Sequence, residues 1–130
     1  IVADVGRAIN PLIVHGQLHG GAAQGIGQAL MEHVRFEADT RQPLTGSFME
    51  YVLPRADDLP AMTVELNELP EADNPLGVKG AGENATTGAP AAVMNAVRDA
   101  LRSTGDADVD MPATPERVWR ALRRAKQGIE

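Results

Sequence analysis

An α+β fold is predicted for this chain from three observations. Ile1-Val2-Ala3-Asp4-Val5 and Met62-Thr63-Val64-Glu65-Leu66-Asn67-Glu68-Leu69 read as strands, the second with strict apolar/polar alternation. Helical spacing of apolar residues recurs near 14–34, 91–102 and 115–126. Strands and helices do not alternate regularly, as a doubly wound parallel sheet would require.

The elements follow in order. Residues 1–5 are the first strand, and 6–13 a loop ending at Asn10-Pro11. From Val14 to Val34, Leu18, Ala22, Ile26, Ala29, Leu30 and Val34 fall near one helical face. This helix holds glycines at 16, 20, 21, 25 and 27, and each costs about 0.8–1 kcal/mol relative to Ala in a helix interior. Gly16/Gly20 and Gly21/Gly25 place small surfaces one turn apart, where another backbone or a ligand can lie close. Val34-Arg35-Phe36-Glu37-Ala38 alternates and is predicted to be a strand, ended by Asp39-Thr40-Arg41-Gln42-Pro43. Residues 44–60 are mixed, with Phe48, Met49, Tyr51, Val52 and Leu53 apolar. A loop covers about Pro75 to Thr87. Ala91 to Arg102 is predicted to be amphipathic, with Val93, Val97, Ala100 and Leu101 inward and Asn95, Arg98, Asp99 and Arg102 outward. A polar connector, 103–113, leads to Thr114 as N-cap and Pro115 at the first helical position. The last helix runs to about Lys126, with Val118, Leu122 and Ala125 on one stripe.

Composition bounds the function. The chain has 130 residues, the length of one ordinary domain, and 43% are hydrophobic, so it can bury a core. Aromatics are only 3%, which leaves that core to aliphatic side chains and Met. Twelve basic against 18 acidic residues give a net charge of −6, which argues against nucleic acid or an anionic membrane as partner. Without cysteine, the chain itself has no disulfide, thiolate nucleophile or iron–sulfur ligation. No apolar run approaches the roughly 20 residues of a membrane-spanning helix, and no signal-peptide pattern is visible. A chain that opens on a strand at Ile1 reads as the C-terminal piece of a longer protein.

The most informative segment runs from Gly77 to Pro90. It sets one carboxylate, Glu83, among glycines at 77, 80, 82 and 88 and small neighbours, with Lys79 as a single positive charge. Backbone amides with little side chain around them can approach a bulky ligand closely. A lone carboxylate at the end of such a donor-rich loop suits a general base.

Lys79-Gly80-Ala81-Gly82-Glu83, followed by Thr87-Gly88-Ala89-Pro90-Ala91, resembles the active-site segment of the molybdenum hydroxylases. These are the xanthine dehydrogenase, aldehyde oxidase and aerobic carbon monoxide dehydrogenase family, in its large, molybdenum-binding subunit. Asp4-Val5-Gly6-Arg7-Ala8-Ile9-Asn10-Pro11, Gly16-Gln17-Leu18-His19-Gly20-Gly21, Gln24-Gly25-Ile26-Gly27 and Asp110-Met111-Pro112-Ala113-Thr114-Pro115-Glu116 resemble the same subunit in the same order. The resemblance covers essentially all 130 residues and implies that 1–130 is the C-terminal part of a molybdopterin-binding domain. It implies that Glu83 stands beside the metal as the base in oxidative hydroxylation of an aldehyde or N-heterocycle, or in carbon monoxide oxidation. It further implies that Gln17 hydrogen-bonds the pterin. The amides of Lys79, Gly80, Ala81, Gly82 and Glu83 are candidates for holding a polar cofactor edge, and Lys79, Gly80, Ala81 and Gly82 are assigned to cofactor binding. The expected cofactor is molybdopterin in its cytosine dinucleotide form; the dithiolene sulfurs hold the metal, so no protein metal ligand is expected. Expected partners are the rest of the molybdenum subunit, iron–sulfur and FAD subunits or domains and a small-molecule substrate, in the cytoplasm. Asn84 departs from the pattern, standing where the family more often carries Ala or Ser.

Blander readings stand beside these. Most loop glutamates are simply exposed. Gly80-x-Gly82 lacks the third glycine of a dinucleotide fingerprint, since position 85 is Ala85. Gln24 reads as a brace between its helix and a neighbouring strand. His15 and His19 have two-ligand helical spacing but no Glu at position 16 and no third ligand nearby, so they read as surface or packing residues. Arg117, Arg120, Arg123, Arg124 and Lys126 read as a solvated helix face, and Trp119 as a packing anchor. The rival to the enzyme reading is a non-catalytic structural or assembly module of a larger complex; even on the enzyme reading the segment alone is expected to be inactive.

Overall fold

A computed structural model describes residues 1–105 and 108–127. Residues 106 and 107 of the expected connector lie outside the described residues. The architecture is mixed, chiefly helical with a few short strands: β1 (Val2–Asp4), α1 (Pro11–Leu30), β2 (Glu65–Asn67), α2 (Asn84–Leu101) and α3 (Pro115–Gln127), with 3-10 turns at Ala56–Asp58 and Arg102–Thr104. The chain divides into two compact units, Ile1–Gly25 with Ala56–Ala89, and Ile26–Arg55 with Pro90–Glu130.

In the first unit β1 and β2 pair in parallel, with Val2 opposite Glu65, Ala3 opposite Leu66 and Asp4 opposite Asn67. The Glu65 amide donates to the Ile1 carbonyl at 2.8 Å. The alternation at 62–69 has its physical basis here: Met62, Val64 and Leu66 are half-buried and pack on the core, while Thr63, Glu65 and Asn67 are exposed. Only three of the eight expected residues form ladder, because β1 itself is three residues long. The core beneath is Ala3, Val5, Leu18, Ala22 and Ala85.

The second unit has its own core of Ala29, Met94, Leu101, Val109, Ala113 and Ala121, lined by Leu30, Val93, Val97, Val118 and Leu122. The Ala113 amide donates to the Ala29 carbonyl at 2.6 Å. The Thr114 hydroxyl accepts from the Arg117 amide at 3.4 Å and its carbonyl accepts from Val118 N at 3.0 Å, so α3 starts where the Thr-Pro pair places it. Trp119, expected as a packing anchor, is 53% exposed, with the Arg123 guanidinium 5.1 Å from its ring centroid. Ala121, Ala125, Val118 and Leu122 take the inner positions instead.

Three further element boundaries differ from expectation. The first helix starts at Pro11 and ends at Leu30, four residues short of Val34. Its end is marked by the Gly27 carbonyl, which accepts from both Met31 N (2.9 Å) and Glu32 N (2.8 Å). The strand expected at 34–38 is a single bridge between Phe36 and Pro43. A turn with Arg41 at φ 60° closes it, the Glu37 amide donating to Gln42 O at 2.8 Å. The second helix begins at Asn84, seven residues before Ala91, and carries Pro90 inside it. Proline normally marks a helix start because it lacks an N–H. Here the missing amide is tolerated in mid-helix, and burial of Ala85 in the core fixes the earlier start.

The glycines of α1 separate into two kinds. A Cβ on Gly21 would sit 3.0 Å from Thr86 Oγ1, 3.1 Å from Thr86 N and 3.2 Å from Ala85 Cβ, so that glycine is required by close approach of the chain to itself. Gly27 is likewise closed in, by Glu32 and Pro54. Gly16 and Gly20 face open space, with nothing within 4 Å of a built Cβ. Gly21→Ala should therefore destabilise: overpacking costs about 1–3 kcal/mol against a helix-propensity gain of about 1 kcal/mol. Gly20→Ala should stabilise by up to about 1 kcal/mol. Denaturant midpoints of the two variants test this, and shifts of the same sign would contradict it.

Candidate functional site

The glycine-rich loop is built from its anchors outward. Leaving β1, the chain reaches Gly6 at φ 62°, which faces Gly77 at φ 68°. A Cβ on Gly6 would lie 2.4 Å from Gly77 O and 2.9 Å from Lys79 N, so only glycine admits this approach. The approach allows Arg7 N to donate to Gly77 O at 2.8 Å and Lys79 N to donate to Val5 O at 3.0 Å. Asn74 clasps the loop base: its Nδ2 donates to Val78 O at 2.9 Å and its Oδ1 accepts from Val78 N at 3.1 Å. The Lys79 ammonium lies 2.6 Å from Asp4 Oδ2, an ion pair whose side chains are each about one-third exposed. The second oxygen, Asp4 Oδ1, accepts from Gly6 N at 3.0 Å. Together the Lys79 bond and the Gly6 amide hold the Asp4 carboxyl below the ordinary aspartate value of 3.8.

The far end of the loop is fixed by α2. Glu83 stands immediately before the helix, its carbonyl accepting from Thr87 N (3.0 Å) and Thr87 Oγ1 (2.9 Å). Ala85 is buried in the first unit's core. The Thr86 hydroxyl donates to Gly21 O at 3.1 Å and lies 3.4 Å from Gln24 Oε1. Gln24 thus braces its helix against the start of α2, not against a strand.

Between these anchors Gly80, Gly82 and Glu83 are exposed and Ala81 is half-buried. No described residue accepts a hydrogen bond from the amides of Gly80, Ala81 or Gly82. The first-turn amides of α2 add further donors, as at any helix N-terminus. Gln17, exposed on α1 one turn before Gly21, reaches this segment: a methyl group on Gly82 would be 3.6 Å from Gln17 Oε1. Gly80 faces open space. The structure therefore brings together Gln17 and Gly82 next to Glu83 in the chain, with Gly80 and Ala81 leading in. It directs the Lys79 side chain to Asp4 and the Lys79 amide to Val5 O, so neither is free for the cofactor edge expected of this residue.

Asp4, Asn74 and Thr86 position the loop yet carry no local signal. Asp4 and Lys79 are 75 residues apart, and only the β1–loop bridge makes them neighbours. His19 Nδ1 lies 2.8 Å from His15 O. A carbonyl only accepts, so that ring nitrogen carries hydrogen and is engaged within the helix.

With this geometry in place, similarity to known proteins is informative. The profile of the molybdopterin cofactor-binding domain matches residues 1–60. The chain is 43% identical over 122 residues to the nicotine 6-hydroxylase large subunit of Paenarthrobacter nicotinovorans, covering 94% of this chain and 15% of that subunit. It is 35% identical over 120 residues to the carbon monoxide dehydrogenase large chain of Hydrogenophaga pseudoflava, covering 92% of this chain and 15% of that one. Its fold superposes on quinoline 2-oxidoreductase from Pseudomonas putida 86 with a TM-score of 0.88 and 43% identity, over 94% of this chain and 15% of that one. The chain belongs to the family of molybdenum-binding large subunits that includes xanthine dehydrogenase, aldehyde oxidoreductase and carbon monoxide dehydrogenase. It spans about 15% of the length of these first relatives.

The Asp4–Lys79 pair carries a pH signature. Because the folded carboxyl titrates below 3.8, its stabilisation is present above that value and is lost as pH falls through the lower folded value. The stability difference between the native protein and Asp4→Asn should be constant from neutral pH down to about pH 5 and should shrink below 3.8. Unfolding midpoints measured against pH decide this. A difference that grows on acidification would contradict the pairing.

Proposed function

We propose that this chain is the segment of a molybdenum hydroxylase that supplies the base, Glu83, and one wall of the molybdopterin site, within 1–130 of a larger molybdopterin-binding domain. The observation that carries the reading is the conjunction at the loop. Exposed Glu83 follows a run of unbonded amides at Gly80, Ala81 and Gly82, and the Gln17 amide lies against side-chain-free Gly82. Those features fit the group. A pterin edge presents both donors and acceptors, which suits an amide that does both. Open space at Gly16, Gly20 and Gly80 leaves room for a planar body against backbone.

In this reading Gln17 bonds the pterin edge, and the backbone of 79–82 lines its approach. Lys79 contributes by holding the loop, since its amide is on Val5 O and its ammonium on Asp4. The cytosine dinucleotide form is proposed for the cofactor, with iron–sulfur and flavin groups on partner subunits or domains. When bound, the molybdenum cofactor supplies the two-electron oxidation and the oxygen-transfer chemistry. The task of Glu83 is narrower. An ionised carboxylate oxygen must stand within hydrogen-bond reach of the proton it removes, with its neighbours excluding water once the rest of the subunit closes the site. Asn84, exposed beside it, is a polar neighbour of the proposed base.

N-heterocycles are the favoured substrate class. Nicotine 6-hydroxylase and quinoline 2-oxidoreductase stand at 43% identity, above the carbon monoxide and aldehyde enzymes at 35% and 36%. In the complete assembly, Glu83→Gln should keep molybdenum and cytosine-nucleotide content while lowering turnover of an N-heterocycle by about 10²–10⁴-fold. Turnover within a fewfold of the native enzyme, at equal metal content, would remove the assigned role.

A further inference from the structure

We propose that Asp4 is a positioning residue for Glu83, acting through Lys79. The inference rests on the reading of Glu83 as the base and adds a device that holds it in place.

Residue 79 is attached at two points, to the last residue of β1 and to the residue after it. Its amide donates to Val5 O at 3.0 Å, and its ammonium reaches Asp4 Oδ2 at 2.6 Å. One attachment leaves the peptide free to rotate about it; two on consecutive residues fix its direction. Asp4 is itself held, since Gly6 N donates to its other oxygen at 3.0 Å. Beyond Lys79 the chain has only Gly80, Ala81 and Gly82 before Glu83, and no described residue accepts a bond from these three amides. Three residues without restraint span up to about 10 Å when extended. Residue 79 therefore sets the direction from which these three residues approach Glu83, whose carbonyl is held on the far side by Thr87. The other end is pinned by Ala85 in the core and by the Thr86 hydroxyl on Gly21 O; at the near end the Asp4–Lys79 pair adds a side-chain restraint to the backbone bonds at Gly77, Val78 and Lys79. A displacement of about 1 Å at a catalytic group can cost about a hundredfold in rate.

The pair also consumes the one positive charge of the loop. With its ammonium on Asp4, Lys79 serves as a strut, and the segment meets its ligand with amides.

The test uses the complete, cofactor-loaded assembly with Asp4→Asn, Asp4→Glu and the exchange Asp4→Lys/Lys79→Asp. Asp4→Asn should lower kcat by about ten- to a hundredfold while KM stays within a fewfold. Molybdenum and cytosine-nucleotide content should be unchanged, and amide hydrogen exchange should quicken at the bonded amides of Arg7, Val78 and Lys79 and not elsewhere. The exchanged pair should recover part of kcat and restore slow exchange at those three amides. Unchanged exchange at Arg7, Val78 and Lys79 in Asp4→Asn overturns the clamp, whatever Glu83 does. A kcat loss that merely tracks cofactor loss or global exchange overturns it as well. Full turnover in Glu83→Gln instead removes the base on which the positioning claim stands, even when exchange at those amides rises in Asp4→Asn.

Discussion

The site depends on a contact between two glycines. Gly6 and Gly77, both at positive φ, let the end of β1 and the base of the loop approach until a Cβ on Gly6 would overlap the Gly77 carbonyl. Every other element of the near anchor follows from that approach: the bonds from Arg7 N to Gly77 O and from Lys79 N to Val5 O, and the Asp4–Lys79 pair. A side chain at either position would be strained whatever room it found. The loop is therefore carried by a short parallel ladder and a single bridge, with a side-chain ion pair alongside.

The far anchor uses a third glycine differently. Gly21 lets the first turn of α2 settle on α1, so Ala85 is buried and Thr86 bonds a helix carbonyl. The segment 80–83 is thus bounded on both sides by rigid structure while its own amides stay unbonded. Exposed donors held by a fixed frame are pre-organised for a ligand, because little ordering remains to be done on binding. The second unit, with its core of Ala29, Met94, Leu101 and Ala121 and its Thr114-capped helix, holds none of the proposed site residues.

Much of this was legible in the residues. The two strands, three helical segments and the Thr114-Pro115 start follow from periodicity and capping chemistry, and of the five glycines of α1, Gly21 and Gly27 sit at close approach while Gly16 and Gly20 do not. The motif Lys79-Gly80-Ala81-Gly82-Glu83, taken with the upstream motifs in the same order, marks the candidate site. What was not legible is long-range. Nothing near Asp4 says that its partner is Lys79, and nothing near Gly21 says that Thr86 covers it while Gly20 stays open. The second helix is expected from Ala91, but proline's local preference for helix starts at Pro90 yields to burial of Ala85, and the helix begins at Asn84. The alternation at 34–38 misled because β pairing needs a partner strand, and this segment turns back to meet only Pro43.

Family membership assigns the chain to the molybdenum-binding large subunits. Among the described residues no helix is long and apolar enough to cross a membrane. The chain spans about 15% of those relatives' length, and on the proposed reading the rest of such a subunit completes the site. The most direct test is therefore a crystal structure of the complete, cofactor-loaded large subunit. The Glu83 carboxylate should face the molybdopterin cavity, with Gln17 on the pterin edge and Lys79 still on Asp4. A Glu83 side chain turned into bulk solvent, away from the cofactor, would contradict it.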